Sequence, residues 1–229
     1  MAKKKLTFYT ELAYIIGLVT LAFGCSLMTR ADFGVSMVVA PAYILHLEVK
    51  EYLPFFSFGM AEYTLQAVLL LVMVCIIRRF KVSYLFSFVT AVLYGLMLDG
   101  FMLLVPEIAS ENIVLRAFLY AAGLLTTSFG VSVILRTYIS PEVYELFVKE
   151  VTERFSIKLS VFKTCYDCAS WLISVIMSFA FFGMWQFNGI GWGTLICAVL
   201  NGLLIGAHSK LLDKHFEFKD GLKLRKFFE

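Results

Sequence analysis

Six polar side chains sit where they are expensive, inside long apolar runs: Glu62, Gln66, Asp99, Lys163, Asp167 and Asn201. Arg30 and Arg136 close two further runs, with Asp32 and Ser36 just beyond the first. A charge at bilayer depth costs on the order of 3 kcal/mol and persists where it is paired, hydrated or used. The chemistry on offer is binding: carboxylates handle protons or cations, and amides and hydroxyls orient a small solute. Arg30, Arg136 and Lys163, taken singly, have a competing reading as side chains that snorkel to headgroups. Asp99, Glu62 and Asp167 do not reach an interface so easily. Two groupings follow, Arg30 with Glu62, Gln66 and Asp99 on an outer-facing cavity, and Arg136 with Lys163, Asp167 and Asn201 on an inner one.

Catalysis has less behind it. The sequence has no phosphate loop, nucleophile elbow or paired catalytic constellation, and His46, His208 and His215 lack zinc-ligand spacing. Cys25, Cys75, Cys165, Cys168 and Cys197 all lie within or at the edge of apolar runs, so a disulfide framework is not expected. Cys165-Tyr-Asp-Cys168 has redox spacing without a thioredoxin-like context. We therefore expect no enzyme, no cofactor and no metal.

The elements that must position these residues are membrane spans. The chain is 60% hydrophobic and 16% charged with a mean hydropathy of +0.83, against about 25% charged for a soluble domain. About 20 apolar residues cross a bilayer core of roughly 30 Å. Six stretches qualify, near Glu11 to Thr29, Phe55 to Ile77, Ser83 to Val105, Leu115 to Leu135, Val161 to Met184 and Gly191 to Ser209.

The runs repeat. Gly17 to Arg30 (GLVTLAFGCSLMTR) returns 106 residues later as Gly123 to Arg136 (GLLTTSFGVSVILR) with seven of fourteen positions identical, where chance gives roughly one. AVLYGL from Ala91 returns as AVLNGL from Ala198, 107 residues on. Three spans per copy force the second copy to enter the bilayer from the opposite side, so the expected fold is an all-α polytopic membrane protein built as two inverted three-helix repeats. The first repeat is placed at 11–107, a linker at 108–114 and the second repeat at 115–209, between a basic N-terminus (1–10) and a basic tail (210–229). Gly17, Gly24, Gly123 and Gly130 are expected at the repeat interface, where small residues let backbones approach.

Lys and Arg set the orientation. Seventeen fall on one side of the six-span arrangement, including Lys3, Lys4, Lys5, Lys223 and Lys226, against Arg30, Lys50 and Arg116 on the other, which puts both termini in the cytoplasm. The basic clusters are read as this topology signal and not as a nucleic-acid surface.

Two segments link spans without crossing. Residues 31–54 carry Gly34, Pro41 and Pro54 and are too apolar for an aqueous loop. They fit either a re-entrant broken helix, with Asp32 or Ser36 as N-cap, or an amphipathic helix on the outer interface. After the fourth span, Ser140 reads as an N-cap with Pro141 at the first helical position, and the polar helix over 141–155, with Glu145 and Lys149 four residues apart, is expected to rest on the cytoplasmic surface.

G-x-S-L-x-x-R-A-D-F-G-V-S from Gly24, L-S-V-F-K-T-C-Y-D from Leu159, and I-G-W-G-T-L with N-G-L-L-I-G in the last span resemble the YczE/YitT-like group of bacterial integral membrane proteins, over nearly the whole chain. The resemblance implies a polytopic fold in a bacterial cytoplasmic membrane and no substrate. Met37, Val38 and Val39 depart from the Pro, Trp and Asp common in that group.

Two function classes follow. One is a small secondary transporter or permease for an unidentified solute, with a midplane site between the repeats. The other is a non-catalytic membrane module, such as a substrate-capture subunit that needs an energising partner. A homodimer or a partner subunit is compatible with either, and the lipid bilayer is the surrounding medium.

Overall fold

A computed structural model of the chain describes residues 6–107, 112–222 and 225. Lys3, Lys4, Lys5, Lys223, Lys226 and the 108–111 part of the expected linker lie outside the described residues.

Within them the chain forms α1 (Thr10–Arg30), α2 (Ala40–Tyr52), α3 (Phe58–Ile77), α4 (Ser83–Leu104), α5 (Ile113–Ile134), α6 (Val143–Phe155), α7 (Leu159–Phe182) and α8 (Trp192–His215). Six of these, all but α2 and α6, are long and apolar enough to cross a membrane. Their outward faces carry large apolar side chains such as Leu71, Phe118, Ile176 and Leu203, each more than half exposed, which suits lipid and would be a liability in water. This is a multi-pass membrane protein by length and composition.

The expected spans match these helices to within a few residues, except that α8 runs on past Ser209 to His215. There it hands over to a feature the sequence did not announce. Strand β1 (Leu6–Tyr9) pairs in parallel with β2 (Phe216–Lys219), bringing the two ends of the described chain together. Glu11 holds the joint, accepting hydrogen bonds from the backbone N–H of Gly221 at 3.0 Å and Leu222 at 2.8 Å and from the Tyr138 hydroxyl at 2.7 Å.

At the centre α1 lies along α5. Gly17 faces Gly130 and Gly24 faces Gly123, so one helix rises as the other falls and the pair is antiparallel. Seven residues separate the glycines on each helix, two turns and therefore one face. All four are where the sequence puts close approach.

Around this pair, α1 packs on α4 and α5 on α8, α3 on α4 and α7 on α8, α2 on α7 and α6 on α3. Each of these contacts has a counterpart when α1–α4 are exchanged for α5–α8. The two short helices thus reach across, each wedged against the long helices of the other half.

Both short helices differ from the sequence expectation. The N-cap of α2 is Val39, and Ser36 serves instead through its carbonyl, which accepts from Val39 and Ala40 N–H. The N-cap of α6 is Glu142, two residues beyond Ser140, while Ser140 donates its hydroxyl to the Ser83 carbonyl. The apolar face of α6 packs on protein: Val143, Tyr144, Leu146, Phe147, Val148, Val151 and Thr152 are buried, against α3 and α7, while Lys149, Glu153 and Arg154 are exposed. A 13-residue amphipathic helix can satisfy its apolar face against headgroups or against protein, and here protein provides it.

Candidate functional site

The segments that open α2 and α6 meet at a cavity of about 40 Å³, room for a few water-sized groups. Twelve residues line it, and they fall into six pairs separated by the offset of the sequence repeat. Leu21 stands with Thr127, Cys25 with Val131, Ser36 with Glu142, Val38 with Tyr144 and Val39 with Glu145, each 106 positions apart. Tyr94 stands with Asn201, 107 apart. All but Val38 and Glu145 are buried. The lining alternates between halves, so neither half could form it alone.

The chemistry of the lining is unequal. The α2 side contributes Ser36, whose hydroxyl lies 3.7 Å from the Cys197 sulfur. The α6 side contributes Glu142, Tyr144 and Glu145. Glu142 Oε1, Tyr144 Oη and Asn201 Oδ1 are buried with no hydrogen-bond partner in the protein. Burial, then the charges of Glu62 and Glu145, hold the Glu142 carboxyl well above the ordinary carboxylate range. Burial, then Glu62, raises the Tyr144 phenol as well, so it stays protonated and keeps a donor.

Behind this wall lie two polar groups. On α3, Glu62 is fully buried. Its Oε1 accepts from Gln66 Nε2 at 3.3 Å, its Oε2 has no partner, and Gln66 Oε1 accepts from the Val143 N–H at the start of α6 at 3.0 Å. On α7, Lys163 donates to Glu145 Oε1 at 2.8 Å and sits 3.6 Å from Asp167 Oδ1. One ammonium therefore serves two carboxylates, while Glu62 and Glu142 have no comparable partner among the described residues.

The expected site residues thus divide. Ser36 and Asn201 line the cavity, and Glu62, Gln66, Lys163 and Asp167 lie behind it. Arg30, Asp32, Asp99 and Arg136 do not join them. Arg30 donates to the Met102 carbonyl and pairs with Glu107 at 2.6 Å. Arg136 donates to the Ser209 carbonyl at 2.7 Å and grips both oxygens of Asp213 at 2.8 Å. Met102 and Ser209 stand 107 apart, Glu107 and Asp213 106 apart, so each arginine ties the end of its helix to the same place on another helix, α4 or α8.

Asp32 forms an ion pair with Arg116 at 2.8 Å on an exposed turn. Asp99 receives the Ser57 hydroxyl at 2.5 Å and the Gly59 N–H at 2.7 Å, the work of a cap on α3. With Arg30 it lines a separate recess of about 470 Å³, and Glu62 is not part of that recess. Of the expected outer grouping, Arg30 and Asp99 share this recess, while Glu62 and Gln66 lie behind the smaller cavity; of the inner one, Arg136 stands apart from Lys163, Asp167 and Asn201. Glu142, Tyr144 and Glu145 are not among the site residues expected from the sequence; their signal is the offset of 106 from Ser36, Val38 and Val39.

A family model described as a family of unknown function, DUF6198, matches residues 8–210. No curated protein and no solved structure matches the chain.

Proposed function

The chain belongs to this family of unknown function, DUF6198, and from its geometry we propose that it works as a small secondary transporter whose binding site is the cavity between its halves. The observation that carries the proposal is the lining: six residue pairs at the offset of the sequence repeat converge on one buried space. Two halves of opposite orientation around a central site allow alternating access, because rocking one half against the other opens one mouth while closing the other. The antiparallel α1–α5 pair and the exchange of α2 and α6 between halves support that inverted relation. So does the start of each short helix at the cavity, a broken-helix arrangement in which non-helical backbone lines a site.

In this reading the chain lies in a bacterial cytoplasmic membrane with both termini cytoplasmic, as the Lys and Arg distribution argues, in keeping with its likeness to YczE/YitT-like proteins. The protein supplies binding and gating and no catalytic step.

The test is two-sided accessibility. With native cysteines removed, a cysteine at Val38 or Val131 should react with a small membrane-impermeant thiol reagent from either face of sealed vesicles. A second cysteine pair, at Leu47 near the open end of α2 and at Val148 on α6, reports which mouth is open. Cross-linking that locks one mouth should abolish labelling from that face and preserve it from the other. Cavity positions that react from neither face, in protein that remains folded, would exclude alternating access.

A further inference from the structure

We propose that the cavity binds a small organic cation through Glu142 and Asn201, and that its entry displaces a proton held by Glu62 and Glu142. The inference rests on the cavity being the binding site and adds what the site takes.

The first argument is charge. Four carboxylates, Glu62, Glu142, Glu145 and Asp167, surround the cavity or stand directly behind it, with Lys163 as the basic side chain among them. Lys163 is committed to Glu145 and Asp167. A buried carboxylate without a counter-charge is costly, so Glu62 and Glu142 require a proton or a cation between them.

The second argument is hydrogen-bond valence. Glu142 Oε1 and Asn201 Oδ1 are unpartnered acceptors in the lining, and Glu62 Oε2 is another behind it. A ligand rich in N–H donors and carrying positive charge satisfies acceptors of this kind, and an anion does not. The N-terminus of α6 does offer positive potential to the cavity, but Glu145 in its first turn already answers it. No group of three His, Cys, Asp or Glu among the described residues could hold a metal ion, which argues against a metal bound by three such side chains. The cavity, at about 40 Å³, limits the ligand to a few heavy atoms.

The third argument is the route for the proton. Tyr144 lines the cavity, and its phenol is electrostatically coupled to the Glu62 carboxyl. Gln66 ties Glu62 to the start of α6. When the cation arrives, a carboxyl O–H breaks, its proton leaves to solvent, and the carboxylate remaining neutralises the ligand, so the charge of the site is conserved. The other titratable groups facing this centre are Tyr14 and Cys25 on α1, Tyr94 on α4, and Tyr166 on α7. Cys197 on α8 lies 3.7 Å from Ser36; none of these thiols and phenols is a base that offers a competing cation.

The experiment uses three planar solutes of similar shape and different charge: guanidinium, urea and acetate, each at millimolar concentration with purified full-length protein in detergent. Thermal unfolding and proton release into weakly buffered solution are read together. Guanidinium should raise the melting temperature and release about one proton per cation bound, with affinity rising about tenfold per pH unit while the carboxyl is protonated. Urea and acetate should do neither. Glu142→Gln should weaken guanidinium at least tenfold, and Glu62→Gln should fold and lose the proton release.

If either variant fails to fold, the wild-type pH series decides alone. Stabilisation by urea or acetate equal to that by guanidinium, binding independent of pH, or no guanidinium effect at any pH would each overturn the proposal. Guanidinium binding without flux in proteoliposomes would sink the transporter reading and leave this inference standing. Acetate flux without guanidinium binding would do the reverse.

Discussion

Gly24 and Gly123 face each other reciprocally: a Cβ built on either would lie 2.8 Å from the carbonyl oxygen of the other. No real side chain tolerates that approach, so the two backbones are in direct contact and the halves are held together where the sequence repeats itself. Bulk at either position must separate α1 from α5. Gly24→Leu and Gly123→Leu should each destabilise the protein by a similar amount, about 1–3 kcal/mol or more. Gly100→Leu and Gly202→Leu, where nothing lies within 4 Å of the added carbon, should leave thermal unfolding in detergent unchanged. Equal effects at all four positions would mean that the loss reflects helix propensity or lipid contact and not the interface.

Asp99 and Glu62 looked alike in the sequence, and the structure separates them. Asp99→Asn keeps one acceptor for Ser57 or Gly59 and should cost about 1 kcal/mol, the scale of a helix cap, while guanidinium affinity stays at the wild-type value. A tenfold loss of affinity in a stable Asp99→Asn protein would return Asp99 to the binding site.

Lys163 is the counter-ion of the buried Asp167 and the partly exposed Glu145, so removing it leaves both carboxylates without compensation. Lys163→Met should destabilise by about 3–5 kcal/mol. Adding Glu145→Gln and Asp167→Asn should recover a large part of that loss, because the charges needing a partner are then gone. Additive destabilisation in the triple variant, measured by chemical unfolding, would show that Lys163 acts through packing instead.

For Glu142 the pH dependence has a definite sign. Its folded-state pKa is raised above the unfolded value of 4.5, so its native form prefers to be protonated. Its contribution to stability is intact below about pH 4 and falls as pH rises from there through the folded pKa. Glu142→Gln cannot ionise, so the stability of the variant relative to wild type should increase between pH 5 and pH 8. A gap that narrows over that interval would place a charged Glu142 in a favourable setting and contradict the burial argument.

Arg136 holds α5 to α8 by a forked grip on Asp213 and a bond to the Ser209 carbonyl, a geometry that a lysine ammonium cannot reproduce. Arg136→Lys should lower stability by about 1–3 kcal/mol with guanidinium affinity unchanged, and Arg30→Lys should behave in the same way. Loss of affinity without loss of stability would assign the arginines to the ligand.

The sequence by itself determined the elements that depend on local composition and on repetition. Apolar run length marks the six long helices because a bilayer requires it, and the recurrence of Gly17 and Gly24 as Gly123 and Gly130 marks the central contact because only small residues permit it. It also singled out Glu62, Gln66, Lys163 and Asp167, since charge in an apolar run has few explanations. What it could not determine was who meets whom. Residues 141–155 carry the same amphipathic pattern whether they cover headgroups or wedge between α3 and α7, so only the tertiary structure put Glu142 and Tyr144 in a cavity wall. Arg30 and Arg136 likewise look the same in sequence as ligands, snorkels or clamps. Their partners lie 72 to 77 residues away, and a one-dimensional pattern holds no information about such distant pairing until the helices pack.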